Sequence, residues 1–310
     1  MTFGSTSHIV LFLATVVFTV LTCLAIARLP KVWQTAMIVA SVLVCCGAIF
    51  FRFAMNLSWT GKVDVVPLLL QQLQVCNFNF ILLPLMLVPK LKVARQYAFY
   101  FSMFAASTTL VALNSRWDGA PWYSATVFNS WLYHSMAVVC PLWMVCAGWF
   151  KPERKYVLPV SGCVWGYFTI VYVVCEILKA NGLMAESQSF SYVYNANGIP
   201  VLSTLFKWIG VPYFYLYAVF PVVVAFFYAL SAFFNRSVCF HANGGCGKLR
   251  KIYGAIGNQI VLPNGGFCKD GFTFVGWSLS PNSPTADYQP GATLTVPKRN
   301  VVLYAVWQQT

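Results

Sequence analysis

The stretch VVVAFFYALSAFFNRSVCFHANGG, residues 222–245, changes character in the space of a few residues. Up to Phe234 it is an apolar run, which reads as the end of a helix long enough to cross a hydrocarbon core about 30 Å thick. From Asn235 onward short alternating segments are punctuated by Gly, Pro and Asn, the pattern of strands joined by turns. The chain therefore divides near Arg236, into a membrane domain over 1–236 and a β-rich module over 237–310.

Toward the N-terminus the apolar pattern recurs. Of all residues 59% are hydrophobic and 9% charged, far from a soluble average. Runs of span length bounded by charge fall at about 8–27, 33–55, 65–89, 96–113, 125–149, 156–178 and 212–234. The fold class expected is a membrane all-α, seven-transmembrane-helix bundle with a small C-terminal β-rich module. The first run is expected to be a retained helix, because residues 1–7 lack the Lys or Arg of a secretory leader. The net charge of +13 is spread in short groups between apolar runs, which fits loops facing anionic lipid and not a nucleic-acid partner. Arg28, Lys31, Lys90, Lys92, Arg95, Lys151, Arg154 and Lys155 fall on one set of alternate loops, against Arg52, Lys62, Arg116, Lys179 and Lys207 on the other. That bias predicts a multi-pass plasma-membrane protein with its N-terminus outside and its C-terminus cytoplasmic.

Toward the C-terminus, FHANGG at 240–245, LP at 262–263, GFTFVGWS at 271–278, YQPGATLTV at 288–296 and LYAVW at 303–307 occur in order. This tail resembles an internalin-type B-repeat, also called a Listeria–Bacteroides repeat. The resemblance implies a compact β-grasp-like unit that serves as a spacer or binds a protein partner, without chemistry of its own. Trp277 and Trp307 with Phe272, Phe274 and Tyr304 are expected to supply its core. Cys239, His241, Cys246 and Cys268 lack a C-x₂-C pair, so free thiols are expected there and no metal. No cofactor is expected anywhere in the chain, which has no dinucleotide fingerprint, P-loop or metalloprotease motif.

Two spans carry polar residues at depth. LLLQQLQVCNFNFILL, residues 68–83, holds Gln71, Gln72, Gln74, Cys76, Asn77 and Asn79. On a continuous helix Gln72, Cys76 and Asn79 share one stripe. Cys76 stands fourteen residues from both Lys62 and Lys90, near the bilayer midplane. Amides there must face other helices or a hydrated cavity, and packing between helices is a sufficient reason for them. His134, in ATVFNSWLYHSMAVVCPLW at 125–143, lies about 18 Å along its helix from Trp122 at 1.5 Å per residue, a depth comparable with Cys76. An ionisable residue inside a span is a functional candidate, although a neutral His also packs well through one hydrogen bond.

The membrane half resembles the YwaF-like integral membrane family through VVPLLLQQLQVCNFNFILLPLML at 65–87, WLYHSMAVVCPLW at 131–143 and YNANGIPVLSTLFKWIGVPYFYLYAVF at 194–220. Eukaryotic relatives include a transmembrane phospholipid acyltransferase that uses a Cys and a His in spans matching those of Cys76 and His134. The resemblance implies a phospholipid substrate, with Cys76 as nucleophile and His134 as base. Gln72, Gln74 and Asn77 are then candidates to bind substrate or donate to an oxyanion. The sequence departs from the family where a His commonly stands two positions before the Cys; here it is Gln74. Two expectations follow: a lipid acyltransferase or hydrolase built on Cys76 and His134, or a non-catalytic, receptor-like membrane anchor that holds the repeat for a partner.

Overall fold

The computed structural model describes residues 4–60, 70–111, 119–185, 188–194 and 199–310. The chain forms two compact units, one of residues 1–150 and 158–227, the other of 151–157 and 228–310.

The first unit is helical. Its elements are α1 (Thr6–Ile26), α2 (Lys31–Thr60), α3 (Asn79–Leu87), α4 (Lys92–Val111), α5 (Ala125–Cys146), α6 (Val157–Ala180), α7 (Pro200–Ile209) and α8 (Phe220–Phe234), the last running on into the second unit. Among the described residues four stretches are long and apolar enough to cross a membrane: Thr6–Ile26, Lys31–Phe51, Arg154–Ala180 and Phe214–Phe234. The expected spans over 96–113 and 125–149 correspond to α4 and α5, which are more polar for a physical reason. Both are interior helices. Along α4 even Arg95, Gln96 and Ser102 are buried, and along α5 so are Asn129, Ser130, His134 and Ser135. By contrast α1 buries only His8 and Ile26 and exposes Ile9, Leu13, Val17, Val20 and Leu24. That face has the apolar character a lipid-facing helix needs.

Polar groups on the interior helices are spent on neighbouring backbone or hydroxyls, as burial requires. From α5, the indole N–H groups of Trp131 and Trp143 donate to Thr15 and Thr22 of α1 at 3.0 and 2.9 Å. Asn129 donates to the Ala48 carbonyl of α2 at 3.1 Å, and Ser102 of α4 donates to Ala137 at 3.0 Å. Arg95, expected in a basic loop, instead lies 5% exposed. It donates to the carbonyls of Met86 and Leu87 at the end of α3 and of Trp149 just after α5. A cation is favourable at those helix C-termini, where carbonyls lack intrahelical partners.

The expected continuous helix over 65–89 is not what forms. Residues 61–69 lie outside the described residues. Beyond them Gln71–Leu73 make a single 3₁₀ turn, Gln74 is extended at φ −73° and ψ 130°, and helix resumes only at Asn79.

The second unit is a mixed sheet. Its strands are β1 (Asn235–His241), β2 (Ile252–Ala255), β3 (Gln259–Val261), β4 (Phe272–Ser278), β5 (Thr293–Thr295) and β6 (Val301–Gln309). Four strands run in the order β2-β1-β6-β4, with β1 and β6 parallel and the outer pairs antiparallel, while β3 and β5 form a separate ribbon. Trp277 is fully buried at the centre among Val238, Leu262, Leu294, Leu303 and Ala305. Phe240, Phe267 and Phe274 pack around its ring at centroid distances of 4.9, 5.9 and 4.9 Å. Trp307 and Phe274 join this core as expected. Phe272 instead lies under the Lys269 ammonium, and Tyr304 packs against His241. Gly276, at φ +149°, lets the β4 bulge pass the Tyr288 carbonyl, where a Cβ would collide.

Also in this unit is the loop 151–157 between α5 and α6. Asn235, at the junction of α8 and β1, donates to the carbonyls of Pro152 and Ser231, both at 2.9 Å, and accepts from the Arg154 N–H at 3.2 Å. The Arg154 guanidinium lies over both the Tyr228 and Tyr253 rings, at 4.5 and 4.2 Å. The unit thus begins at Tyr228, before the composition change at Arg236, because a buried amide and a cation between two rings bind the loop to the module.

Candidate functional site

The interruption at 71–78 gathers the polar groups of the helical unit. Gln and Asn side chains compete with helical hydrogen bonding, and Asn77 does so directly by donating to the Gln71 carbonyl at 2.7 Å. Two further carbonyls of the interrupted segment meet hydroxyls from elsewhere. Tyr133 of α5 donates to Cys76 O at 2.7 Å, Tyr167 of α6 to Leu73 O at 2.9 Å, and Ser191 also to Leu73 O. Non-helical backbone shielded from water persists only with partners of this kind.

The facing segment 188–194 is itself unusual. Ser191 and Tyr192 have φ of +48° and +62°, a conformation that costs non-glycine residues of order 1–3 kcal/mol and clusters at functional sites. It is held by Gln74, whose side-chain oxygen accepts from the Ser191 N–H at 3.0 Å, and by the Tyr215 hydroxyl, which donates to Tyr192 O.

Beside the break lies a cavity of about 440 Å³, within the range of small-molecule pockets. Its polar positions include Gln74, Cys76, Ser107, Thr108 and Ser191, and the wall is otherwise largely apolar, supplied mainly by α4, α6, α7 and α8. It suits a hydrocarbon chain with a polar group near its end.

Of the residues singled out in the sequence, Cys76 and Gln74 line this cavity, whereas Gln72, Asn77 and His134 do not. Gln74 and Asn77 apply their amides to the backbone of Ser191 and Gln71, and the Cys76 thiol points to the Asn77 side-chain oxygen at 3.9 Å. Gln72 lies half-buried in the 3₁₀ turn. His134 is 4% exposed, its Nδ1 2.7 Å from the Ser130 carbonyl, its ring edge-on to Tyr133 at 5.0 Å. A carbonyl can only accept, so Nδ1 carries the proton and Nε2 is the basic nitrogen. The stripe of Gln72, Cys76 and Asn79 does not exist, because the chain is not helical between them. Asn79 instead starts α3 fully buried, with neither amide atom hydrogen-bonded among the described residues.

Tyr133, Tyr167, Ser191 and Tyr215 are the site residues that sequence reasoning missed. The nearest signal in the sequence is WLYHSM at 131–136, where Tyr133 stands beside His134.

Residues 237–306 match the family model of the Listeria-Bacteroides repeat domain. No curated protein matches the chain. No solved structure matches it either.

Proposed function

We propose that this chain is a membrane anchor that holds its repeat module for a protein partner at the membrane surface. The observation that supports this reading is the junction at Asn235: β1 follows α8 directly, and the buried amide binds that point to the loop 151–157. In this reading α4, α5 and the segment over 65–89 cross the bilayer along with the four apolar stretches, giving seven spans in the plasma membrane with the N-terminus outside.

A second reading is favoured by one observation, the place of Cys76 on a chain-sized apolar cavity. Here the Cys76 thiolate attacks the ester carbonyl of a phospholipid, a thioester forms, and the lysophospholipid leaves with a proton. A second lysophospholipid hydroxyl, or water, then takes the acyl group and restores the thiol. The resemblance names His134 as the base, acting through Nε2, yet His134 does not line the cavity that Cys76 lines. Against this chemistry, Gln74 and Asn77 already bind backbone groups and so are poor oxyanion donors.

One experiment separates the readings. The full chain is incorporated into liposomes and acyl-chain exchange between phospholipid and lysophospholipid is followed by mass spectrometry, with Cys76→Ala and His134→Ala alongside. Exchange no faster than in protein-free liposomes is expected of an anchor. Faster exchange that disappears in both variants would overturn the anchor in favour of acyl transfer.

A further inference from the structure

The module places two cysteines directly opposite each other. Cys246 and Cys268 form an isolated antiparallel bridge, Cys246 N–H donating to Cys268 O at 2.7 Å and Cys268 N–H to Cys246 O at 3.0 Å. Residues that exchange both hydrogen bonds in this way have Cα atoms about 5.5 Å apart, inside the window of about 4.4–6.8 Å that a disulfide spans. Side chains of directly opposed residues lie on the same face. The Cys268 thiol donates to the Cys246 carbonyl at 3.8 Å, and the neighbouring Cys246 thiol raises the Cys268 thiol above its ordinary value.

We propose that Cys246 and Cys268 are the two halves of a reversible disulfide that staples the repeat module. Both residues are exposed, so an oxidant in solution reaches them. Gly245 and Gly247 flank Cys246, and Gly266 lies two residues before Cys268; Gly247 at φ +110° and Gly266 at φ +120° occupy backbone that other residues rarely adopt. These glycines leave the two segments room to draw together. Cβ atoms of opposed residues stand about 4.5–5.5 Å apart and are wider when hydrogen-bonded, whereas a disulfide needs about 3.8 Å. The closed bond is therefore strained and readily reduced again. Cys239, the remaining cysteine of the module, is on β1 opposite Val302 and does not compete for either partner.

The exchange balances with a small disulfide such as oxidised glutathione. One protein thiolate attacks its sulfur and expels one glutathione thiolate, leaving a mixed disulfide. The second protein thiolate attacks the protein sulfur of that intermediate and expels the other glutathione. Two protein thiols are oxidised to one disulfide, and one oxidised glutathione is reduced to two thiols. The bond closes a loop between residues 22 apart in sequence, so the oxidised module resists unfolding more than the reduced one.

The test uses full-length protein in detergent, reduced, desalted, and treated with oxidised glutathione before blocking with N-ethylmaleimide and digestion with trypsin. Cleavage after Arg236, Lys248, Lys251 and Lys269 puts Cys246 in the peptide 237–248 and Cys268 in 252–269. The expected product joins these peptides through Cys246 and Cys268, two hydrogens lighter than their sum, and a reducing agent separates them. Fragmentation assigns the sulfur in the wild type, and Cys239→Ser removes the alternative thiol. In Cys246→Ser, Cys268 is expected to stop at the glutathione adduct. Peptides that carry glutathione or maleimide separately in the wild type, or a linkage made through Cys239, would overturn the proposal.

Discussion

Asp287 is the residue whose role in the module can be read most directly from its hydrogen bonds. Its carboxylate accepts from Ser278 Oγ and from the Leu279 N–H, both at 2.8 Å, and these bonds hold it below the usual carboxylate range. Its folded-state pKa is depressed, so its contribution to stability is present above the unfolded value of about 3.9. That contribution is lost as pH falls through the lower folded value. Hydrogen exchange at Leu279, followed from pH 6 to pH 3, should rise on the acid side beyond its intrinsic rate, and Asp287→Asn should flatten that rise. Equal acid responses in the two proteins would remove Asp287 from the account. Asn79 makes the opposite case. A buried amide with no partner among the described residues costs about 1–3 kcal/mol, so Asn79→Val, an apolar replacement nearer to it in volume than leucine, should leave the melting temperature unchanged or raise it. A clear loss would mean that the amide meets a lipid or other bound group. The sequence revealed Trp277 because large aromatics in alternating segments mark a core. It did not reveal Ser191 or Tyr167, which meet the break from 117 or 118 and 94 residues away, and no local periodicity records such a meeting.

At the scale of elements, the interruption between Gln71 and Asn79 separates what hydropathy can read from what it cannot. A window average over 65–89 reports a span, because it weighs side chains and is blind to the carbonyls that Tyr133 and Tyr167 satisfy. The polar cluster was legible, and so was its need for partners; that the partners would serve a broken backbone was not. If those hydroxyls hold the break, removing one loosens it. Tyr133→Phe deletes the donor to Cys76 O while keeping the ring, and leaves that carbonyl with the Asn79 N–H alone, at a cost of about 0.5–1.5 kcal/mol for one hydrogen bond. Cys76 should then react faster with the membrane-permeant N-ethylmaleimide, by several fold, while the buried Cys45 keeps its rate. Unchanged Cys76 labelling would show that Tyr133 is incidental to the local structure. Similar reasoning explains α4 and α5, whose buried Arg95, Ser102 and Asn129 dilute their hydropathy just where neighbouring helices supply partners.

At the scale of the whole molecule, the C-terminal unit joins a loop from the middle of the chain to the repeat, and this ties two topological markers together. Lys151, Arg154 and Lys155 lie in the loop that sequence bias assigns to the cytoplasm, and Cys268 lies in the module. Because Asn235 and Arg154 bind both into one compact unit, the two must report the same side of the membrane, whichever side that is. A membrane-impermeant maleimide applied to intact cells should therefore label neither Cys268 nor a thiol introduced by Lys155→Cys, and should label both once the membrane is permeabilised. Labelling of both in intact cells would reverse the orientation yet keep the unit; labelling of one alone would dissolve it. Asn235→Ala tests the joint itself. It withdraws donors from Pro152 and Ser231 and leaves the Arg154 N–H without its acceptor, about 1–3 kcal/mol for a buried group. Exchange at Arg154 should then accelerate roughly in proportion, while Trp277, buried in the sheet beyond the joint, keeps its protection. Loss of protection at Trp277 as well would mean that the repeat cannot stand without its junction to the helices.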